Sequence, residues 1–287
     1  MTASFGRSFT VELAGGATLT CSARGKRTDI ACGDRVRVAP AAPDQGVIEA
    51  VEPRASLFYR SDIQREKLIA ANVTRIVVVA AAPAVHRQLL DRCLAAAEHA
   101  QIPALIVLNK MDLPEAAAAL AALAPYRALG YAVLPLTAKV DVAPLRAQLT
   151  GQLAVLVGQS GMGKSTIINR LLPQAAARVG ELSAALGSGR HTTTHAKLYA
   201  LDDASAIIDS PGLQEFGLQH VPPAELAHCF VEFRPLLGHC RFNDCRHLAE
   251  PDCAVAAAAA AGTIDAARLA AYRTFYAQIE KKARARY

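Results

Sequence analysis

Residues Gly158-Gln159-Ser160-Gly161-Met162-Gly163-Lys164-Ser165 spell G-x-x-x-x-G-K-S. An apolar run, Leu153-Ala154-Val155-Leu156-Val157, precedes them, and a stretch from Ser165 to Leu172 with helical spacing follows. Strand, glycine-rich turn and helix in that order make a phosphate-binding loop. Its glycines let backbone N–H groups curl around phosphate oxygens, and the helix N-terminus adds favourable dipole charge. On this reading residues Gly158, Gln159, Ser160, Gly161, Met162, Gly163, Lys164, Ser165 and Thr166 surround the phosphates of a nucleotide. Lys164 reaches the β- and γ-phosphates, and the Ser165 hydroxyl ligates Mg²⁺.

Upstream, the apolar run Ala104 to Leu108 ends in Asn109-Lys110-Met111-Asp112. A carboxylate such as that of Asp112 accepts hydrogen bonds from guanine N1–H and the 2-amino group, and adenine offers neither donor. A base lacking those donors leaves the carboxylate unpaired, at a cost of roughly 1–3 kcal/mol. Alone, N-K-M-D is weak evidence. Thr137-Ala138-Lys139, at the end of the next strand run, resembles the S-A-K loop that contacts guanine and strengthens it. In ordinary GTPases the phosphate loop precedes the N-K-x-D box; here it follows. That order implies a circularly permuted GTPase.

Downstream, Asp209-Ser210-Pro211-Gly212 matches D-x-x-G after the strand run Ala206-Ile207-Ile208. Asp209 is expected to hold Mg²⁺ through water, and the Gly212 N–H to sense the γ-phosphate. Between the phosphate loop and this box lies His191-Thr192-Thr193-Thr194-His195, behind a Gly/Ser-rich stretch. One of these threonines, Thr193 first and Thr192 next, is expected to be the third Mg²⁺ ligand and to close over the γ-phosphate. Many GTPases carry a water-orienting Gln after D-x-x-G. Here that residue is Leu213, so another group must position the water, and His191 is the nearest chemical candidate.

Three textures divide the 287 residues. Residues 1–60 alternate in short stretches, such as Phe9 to Leu13 and Arg35 to Val38, punctuated by turns at Gly15-Gly16 and Gly33-Asp34, which predicts a small β-barrel, an OB-like barrel being one candidate among barrel types. Residues 61–218 alternate apolar strand runs (75–80, 104–108, 132–136, 153–157) with helical stretches (88–100, 115–123, 165–172), ending in a hairpin around Asp202-Asp203. This predicts an α/β domain with a mostly parallel sheet covered on both faces. Residues 219–287 read as helical, interrupted by a cysteine-bearing loop from 240 to 253.

In that loop Cys240, Cys245, His247 and Cys253 form C-x₄-C-x-H-x₅-C. Three thiolates and an imidazole satisfy tetrahedral Zn²⁺ with no open position, which predicts one structural zinc; His239 is an adjacent competitor for His247. Cys21, Cys32, Cys93 and Cys229 are not clustered and are expected to be buried thiols. Seven cysteines, odd in number and unevenly spaced, speak against a disulfide framework and for a reducing cytoplasm. The longest apolar stretch, Ile76 to Val85, is broken by Pro83, so no membrane span is expected. The formal charge is +6. From Arg268 onward, Arg268, Arg273, Lys281, Lys282, Arg284 and Arg286 outweigh Glu280, a basic helix suited to an RNA backbone.

Taken together, Gly33-Asp34-Arg35-Val36, Ile69 to Val73, N-K-M-D, the phosphate loop, Arg190 to Thr194, Asp209 to Gly212 with Glu215-Phe216-Gly217, and the Cys/His cluster resemble the RsgA (YjeQ) family of small-ribosomal-subunit biogenesis GTPases. The resemblance covers nearly the whole chain. It implies an OB fold, a permuted GTPase domain and a zinc-binding C-terminal domain. It also implies a late-acting assembly factor, monomeric and cytoplasmic, that binds the 30S subunit and its 16S rRNA and hydrolyses GTP to GDP when the subunit stimulates it. Ser210 stands where the family's D-T-P-G has Thr, and the chain begins almost at the barrel, without the longer extension of some members. Because Asp209 to Gly212 leads through Glu215-Phe216 toward the zinc domain, loss of the γ-phosphate is expected to move that second body. Two other readings share the motifs. One is a nucleotide-gated RNA-binding switch with little catalysis, favoured by Leu213. The other is a permuted GTPase of the large-subunit type, against which the barrel and the Cys/His cluster stand.

Overall fold

The computed structural model describes residues 1–5, 8–25, 29–61, 66–173, 196–210 and 217–284. At the N-terminus, alternation of apolar and polar residues produces strands with one buried face. Strands β1 (Ala3–Phe5), β2 (Ser8–Glu12), β3 (Thr18–Ala23), β4 (Val36–Ala42) and β5 (Gln45–Val51) run in the order β1-β2-β3-β5-β4. Only β3 and β5 pair in parallel. Phe9, Val11, Leu19, Cys21, Ile30 and Ile48 point inward as a small core of their own. This is the expected OB-like unit. A hairpin of β6 (Leu57–Ser61) and β7 (Glu66–Ala71), not anticipated from the sequence, connects it to the next domain.

The continuous apolar runs become β8 (Arg75–Ala81), β9 (Ala104–Asn109), β10 (Ala132–Pro135), β11 (Leu153–Val157), β12 (Lys197–Ala200) and β13 (Ala206–Asp209). Order β10-β9-β8-β11-β13 is parallel throughout, and β12 adds antiparallel to β13. Both faces are covered, which is why these strands carry no polar alternation. Ile76, Val78, Ile106 and Leu108 face one core, and Val77, Val79, Leu105 and Val107 the other. Helix α1 (Arg87–His99) covers the first face with Leu90, Cys93, Leu94 and the small row Ala95 to Ala97. The expected helix from 115 to 123 is α2 (Ala116–Ala121), and a further short helix, α3 (Ala124–Ala128), follows it with Pro125 in its first turn. Pro lacks the N–H that a continuous helix needs there. Helices α4 (Ala143–Leu149) and α5 (Lys164–Leu171) cover the second face.

The third segment is less helical than expected. Short 3₁₀ turns at Leu226–Cys229 and Arg234–Leu236 and the Cys/His loop precede α6 (Ala254–Ala260) and α7 (Ala266–Arg284). Its core of Phe230, Phe233, Tyr272 and Phe275 merges with the α1 face of the central domain. Arg268 requires a correction: it is not on offer to RNA. It is 1% exposed and binds Asp91 of α1 (2.9 Å) and Glu232 (2.7 and 3.0 Å), with its guanidinium 4.6 Å from the Phe230 ring. Cys21, Cys32, Cys93 and Cys229 are buried thiols, as expected. Among the described residues no helix is long and apolar enough to cross a membrane.

Candidate nucleotide site and metal centre

The phosphate loop leaves β11 and opens α5 at Lys164. Two of its glycines are fixed by close approach. A β-carbon on Gly158 (φ 151°) would lie 2.4 Å from Val79 O, and one on Gly163 (φ 95°) 2.2 Å from Asn109 Nδ2. Neither position admits a side chain. Lys164 is 9% exposed and donates from Nζ to Gly158 O (2.7 Å) and Gln159 O (2.9 Å). Burial pushes its ammonium pKa down, and the Asp209 carboxylate pulls it back up, which puts these two charges within electrostatic reach. Asp209, at the end of β13, is itself buried.

Asn109, the first residue of N-K-M-D, joins the loops. Its side chain is 3% exposed; Nδ2 donates to Met162 O in the phosphate loop (3.0 Å), and Oδ1 accepts from Ala138 N (3.0 Å). Met111 N–H donates to Leu136 O (3.2 Å), and Lys110 takes a positive φ of 61°. One buried amide therefore places residues 158–165, 109–112 and 137–139 around a common site, although 53 residues separate Asn109 from Met162 in the chain. Asp112 and Lys139 are exposed there, and Thr137 is half-buried. Arg170 of α5, unmarked by the sequence motifs, donates to Lys139 O, a second tie on the third loop. Ser210, given no role of its own by D-x-x-G, is buried, with its hydroxyl on Leu156 O. A small hydroxyl residue directly before a proline at a strand end was the available signal. Of the expected site residues, His191, Thr193 and Gly212 lie outside the described residues, as does Leu213.

Cys240, Cys245, His247 and Cys253 converge, with all four ligand atoms within 4.8 Å of one another. His247 Nδ1 lies 3.5 Å from Cys240 Sγ, 3.6 Å from Cys245 Sγ and 3.4 Å from Cys253 Sγ, and the Cys240 and Cys253 sulfurs are 3.9 Å apart. The imidazole that joins the three thiols is that of His247, which sits at φ 60° in a tight turn. Glu250 shapes that turn by accepting from Arg246 N (3.1 Å), Leu248 N (2.8 Å) and Ala249 N (3.1 Å). Against the cost of burial, these N–H groups hold its carboxyl at about 2. Cys253 also caps α6 by accepting from Ala256 N at 3.4 Å. Burial, with the neighbouring thiols, pushes Cys245 up to about 12, and a bound cation reverses that by favouring the thiolate. The donor set of the cluster is compatible with a metal site.

A parallel sheet that carries its base-reading loop ahead of its phosphate loop, with both tied by one Asn, defines a circularly permuted GTPase. The family model for RsgA GTPases matches residues 51–219. The Small ribosomal subunit biogenesis GTPase RsgA of Nitrosomonas europaea is 52% identical over 284 residues, covering 97% of this chain and 90% of that protein. The protein of the same name from Neisseria gonorrhoeae is 52% identical over 271 residues, covering 94% and 88%. A crystal structure of YjeQ from Thermotoga maritima superposes with a TM-score of 0.74 at 28% identity, covering 97% of each chain. The circularly permuted GTPase YloQ has the same fold, with a TM-score of 0.70 at 24% identity over 98% and 94% of the two chains. The chain belongs to the RsgA GTPase family, and it is a GTP-hydrolysing enzyme.

Proposed function

We propose that this chain is a late-stage assembly factor of the 30S ribosomal subunit, binding 16S rRNA according to its nucleotide state, with GTP hydrolysis stimulated by the subunit. The observation that carries the nucleotide part is Asn109, bridging the phosphate loop and the third loop. The ribosomal part rests on relatives 52% identical over most of the chain that carry that function in their names. An exposed Phe242 beneath the Arg241 guanidinium (5.5 Å) supports an RNA partner, since such a pair stacks unpaired bases. The division into a barrel (1–60), a GTPase domain (61–218) and a zinc-binding domain (219–287) gives the factor two surfaces for one subunit, and it acts as a monomer in the cytoplasm.

In this reading Asp112 accepts from guanine N1–H and the 2-amino group, while Lys110, Thr137, Ala138 and Lys139 frame the base. The backbone of Gly158 to Ser165, with Thr166, holds the phosphates, and Lys164 shifts from the loop carbonyls to the β- and γ-oxygens. Ser165, Thr193 and Asp209 are the residues that would hold Mg²⁺. When bound, Mg²⁺ neutralises charge on the β- and γ-oxygens. The Gly212 N–H senses the γ-phosphate, and His191 orients the water in place of the Gln that Leu213 replaces. Zinc suits the Cys/His cluster: bonds of about 2.3 Å to sulfur and about 2.0 Å to nitrogen at tetrahedral angles give edges of about 3.8 Å and about 3.5 Å. The sulfur–sulfur distance of 3.9 Å and sulfur–nitrogen distances of 3.4 to 3.6 Å support that choice.

The test is GTP turnover with and without 30S subunits, with 50S subunits and ATP as controls. Stimulation by 30S alone, specific to GTP, is the expected result. No stimulation favours the RNA-binding switch, and stimulation by 50S the large-subunit reading.

A further inference from the structure

Strand β13 is fastened at both ends by serine hydroxyls. Ser205, just before it, is 3% exposed, and its Oγ accepts from Gly151 N at 2.9 Å. Ser210, just after it, is 1% exposed, and its Oγ donates to Leu156 O at 2.7 Å. Both partners belong to β11 or to the turn that enters it, so the same pair of strands is clasped twice. The two clasps sit at opposite ends of the strand. Ser205 lies at the hairpin turn, where Leu201 and Asp202 N–H groups also converge on its carbonyl. Ser210 lies where β11 delivers the phosphate loop.

The backbone pairing of β11 with β13 ends at Leu156 and Asp209. The Ser210 hydroxyl therefore carries the pairing one residue beyond the ladder, with a side chain doing what backbone no longer does. It fixes the point at which the chain leaves the sheet, immediately after Asp209. The direct contacts expected for the base and for the inner phosphates run through Asn109 and the phosphate loop, and β13 takes part only through Asp209 as a residue that would hold Mg²⁺. What the β13 exit adds is the approach of Asp209 toward the terminal phosphate. We propose that Ser210 is a positioning residue for the GTP-bound state: its bond to Leu156 O holds the end of β13 and so sets the position from which Asp209 meets the γ-phosphate side of the site. The proposal rests on the GTP-site reading above.

The experiment uses the full chain with Ser210→Ala, Ser210→Thr and Ser205→Ala, and measures affinity for GDP and for a slowly hydrolysed GTP analogue, together with single-turnover hydrolysis. Expected is a fall in the analogue-to-GDP affinity ratio of about fivefold or more in Ser210→Ala, the lower end of site-to-site coupling. Single-turnover hydrolysis should slow with it, while GDP affinity holds. Ser210→Thr keeps the hydroxyl and should restore the ratio. Ser205→Ala loses a bond of the same kind at the far end and should leave the ratio unchanged. A ratio unaffected by Ser210→Ala, or moved equally by both alanine variants, overturns the proposal. So does a Ser210→Ala chain that no longer binds GDP, because the hydroxyl would then hold the fold and not the nucleotide state. A wild-type chain that binds neither nucleotide overturns the GTP-site reading itself, an outcome separate from any difference among the variants.

Discussion

The two units that flank the nucleotide domain are attached to it by opposite means. The barrel joins through backbone: β1 pairs with β12, and Leu198 N–H donates to Thr2 O (2.7 Å). Among the described residues the two sheets thereby become one of eleven strands. The C-terminal unit joins through side chains, with Arg268 buried between Asp91 and Glu232, Tyr126 OH on Asp91 (2.7 Å), and an ion pair of Arg87 with Asp265. A shared ladder links the barrel to β12 and β13, the strands that border the expected switch segments, so a shift of those strands is expected to reach it. Buried charges instead lock the C-terminal unit to α1 and α3, beside the base-reading loop. The chain connection from Asp209 into the C-terminal unit is thus one route out of the nucleotide site, and the ladder to the barrel is a second.

The largest expected effect is on the metal. Structural zinc sites contribute on the order of 10 kcal/mol of folding free energy. Treatment with a chelator should strip hydrogen-exchange protection from the Cys/His loop and α6 while β1 to β5 keep theirs. Loss of protection in both units would show that the attachments are not independent. Next comes Arg268→Met, which leaves Asp91 and Glu232 buried beside each other without their cation and should cost about 3–5 kcal/mol in urea unfolding. A loss below about 1 kcal/mol would mean the cluster is ornamental and the comparison false.

The nucleotide site was legible because its chemistry is written in short contiguous motifs, each at a strand end. The metal site was legible for the same reason, four soft ligands on one polar loop. What joins the parts was not. Arg268 sits in a basic run and reads as surface, since its compensating carboxylates come from α1 and from Glu232, far away in sequence. The β6–β7 hairpin escaped notice because its strands carry charges at Arg60, Glu66 and Lys67 that obscure the alternation. The pairing of β1 with β12 spans nearly two hundred residues and leaves no local signal, so the barrel looked like a separate body.

Acid should probe the entrance to the C-terminal unit. His220 stacks on Tyr59 of β6 (5.7 Å) and lies 5.7 Å from His99, whose ring faces Glu225 at 3.3 Å. Burial, with His99 and Lys282 adding to it, lowers its pKa from 6.5 to about 4. The unfolded chain takes up this proton as pH falls through 6.5, and the folded chain only near 4. Stability from this group is therefore whole above pH 6.5 and declines by up to about 3 kcal/mol toward pH 4. The slope of unfolding free energy against pH should lessen in His220→Phe, which keeps the stacking; an unchanged slope assigns the titration elsewhere.

The smallest effect belongs to the barrel seam, and it tests whether a backbone joint is stiff. Gly33 sits at φ 93°, and a β-carbon there would lie 2.2 Å from Ala71 O and 3.4 Å from Ile208 Cδ1. Gly33 thus touches the hairpin and β13 at once, and Asn72 Nδ2 donates to its carbonyl at 3.0 Å. Gly33→Ala must both adopt a left-handed conformation and displace a backbone carbonyl, at a cost of about 1–3 kcal/mol. If the seam is stiff, the cost appears in unfolding, and hydrogen exchange quickens in β12 and β13 while α7 is unaffected. If the cost falls below about 0.5 kcal/mol, the seam yields freely. A ladder that yields so easily transmits little, and the barrel would then be the looser of the two arms.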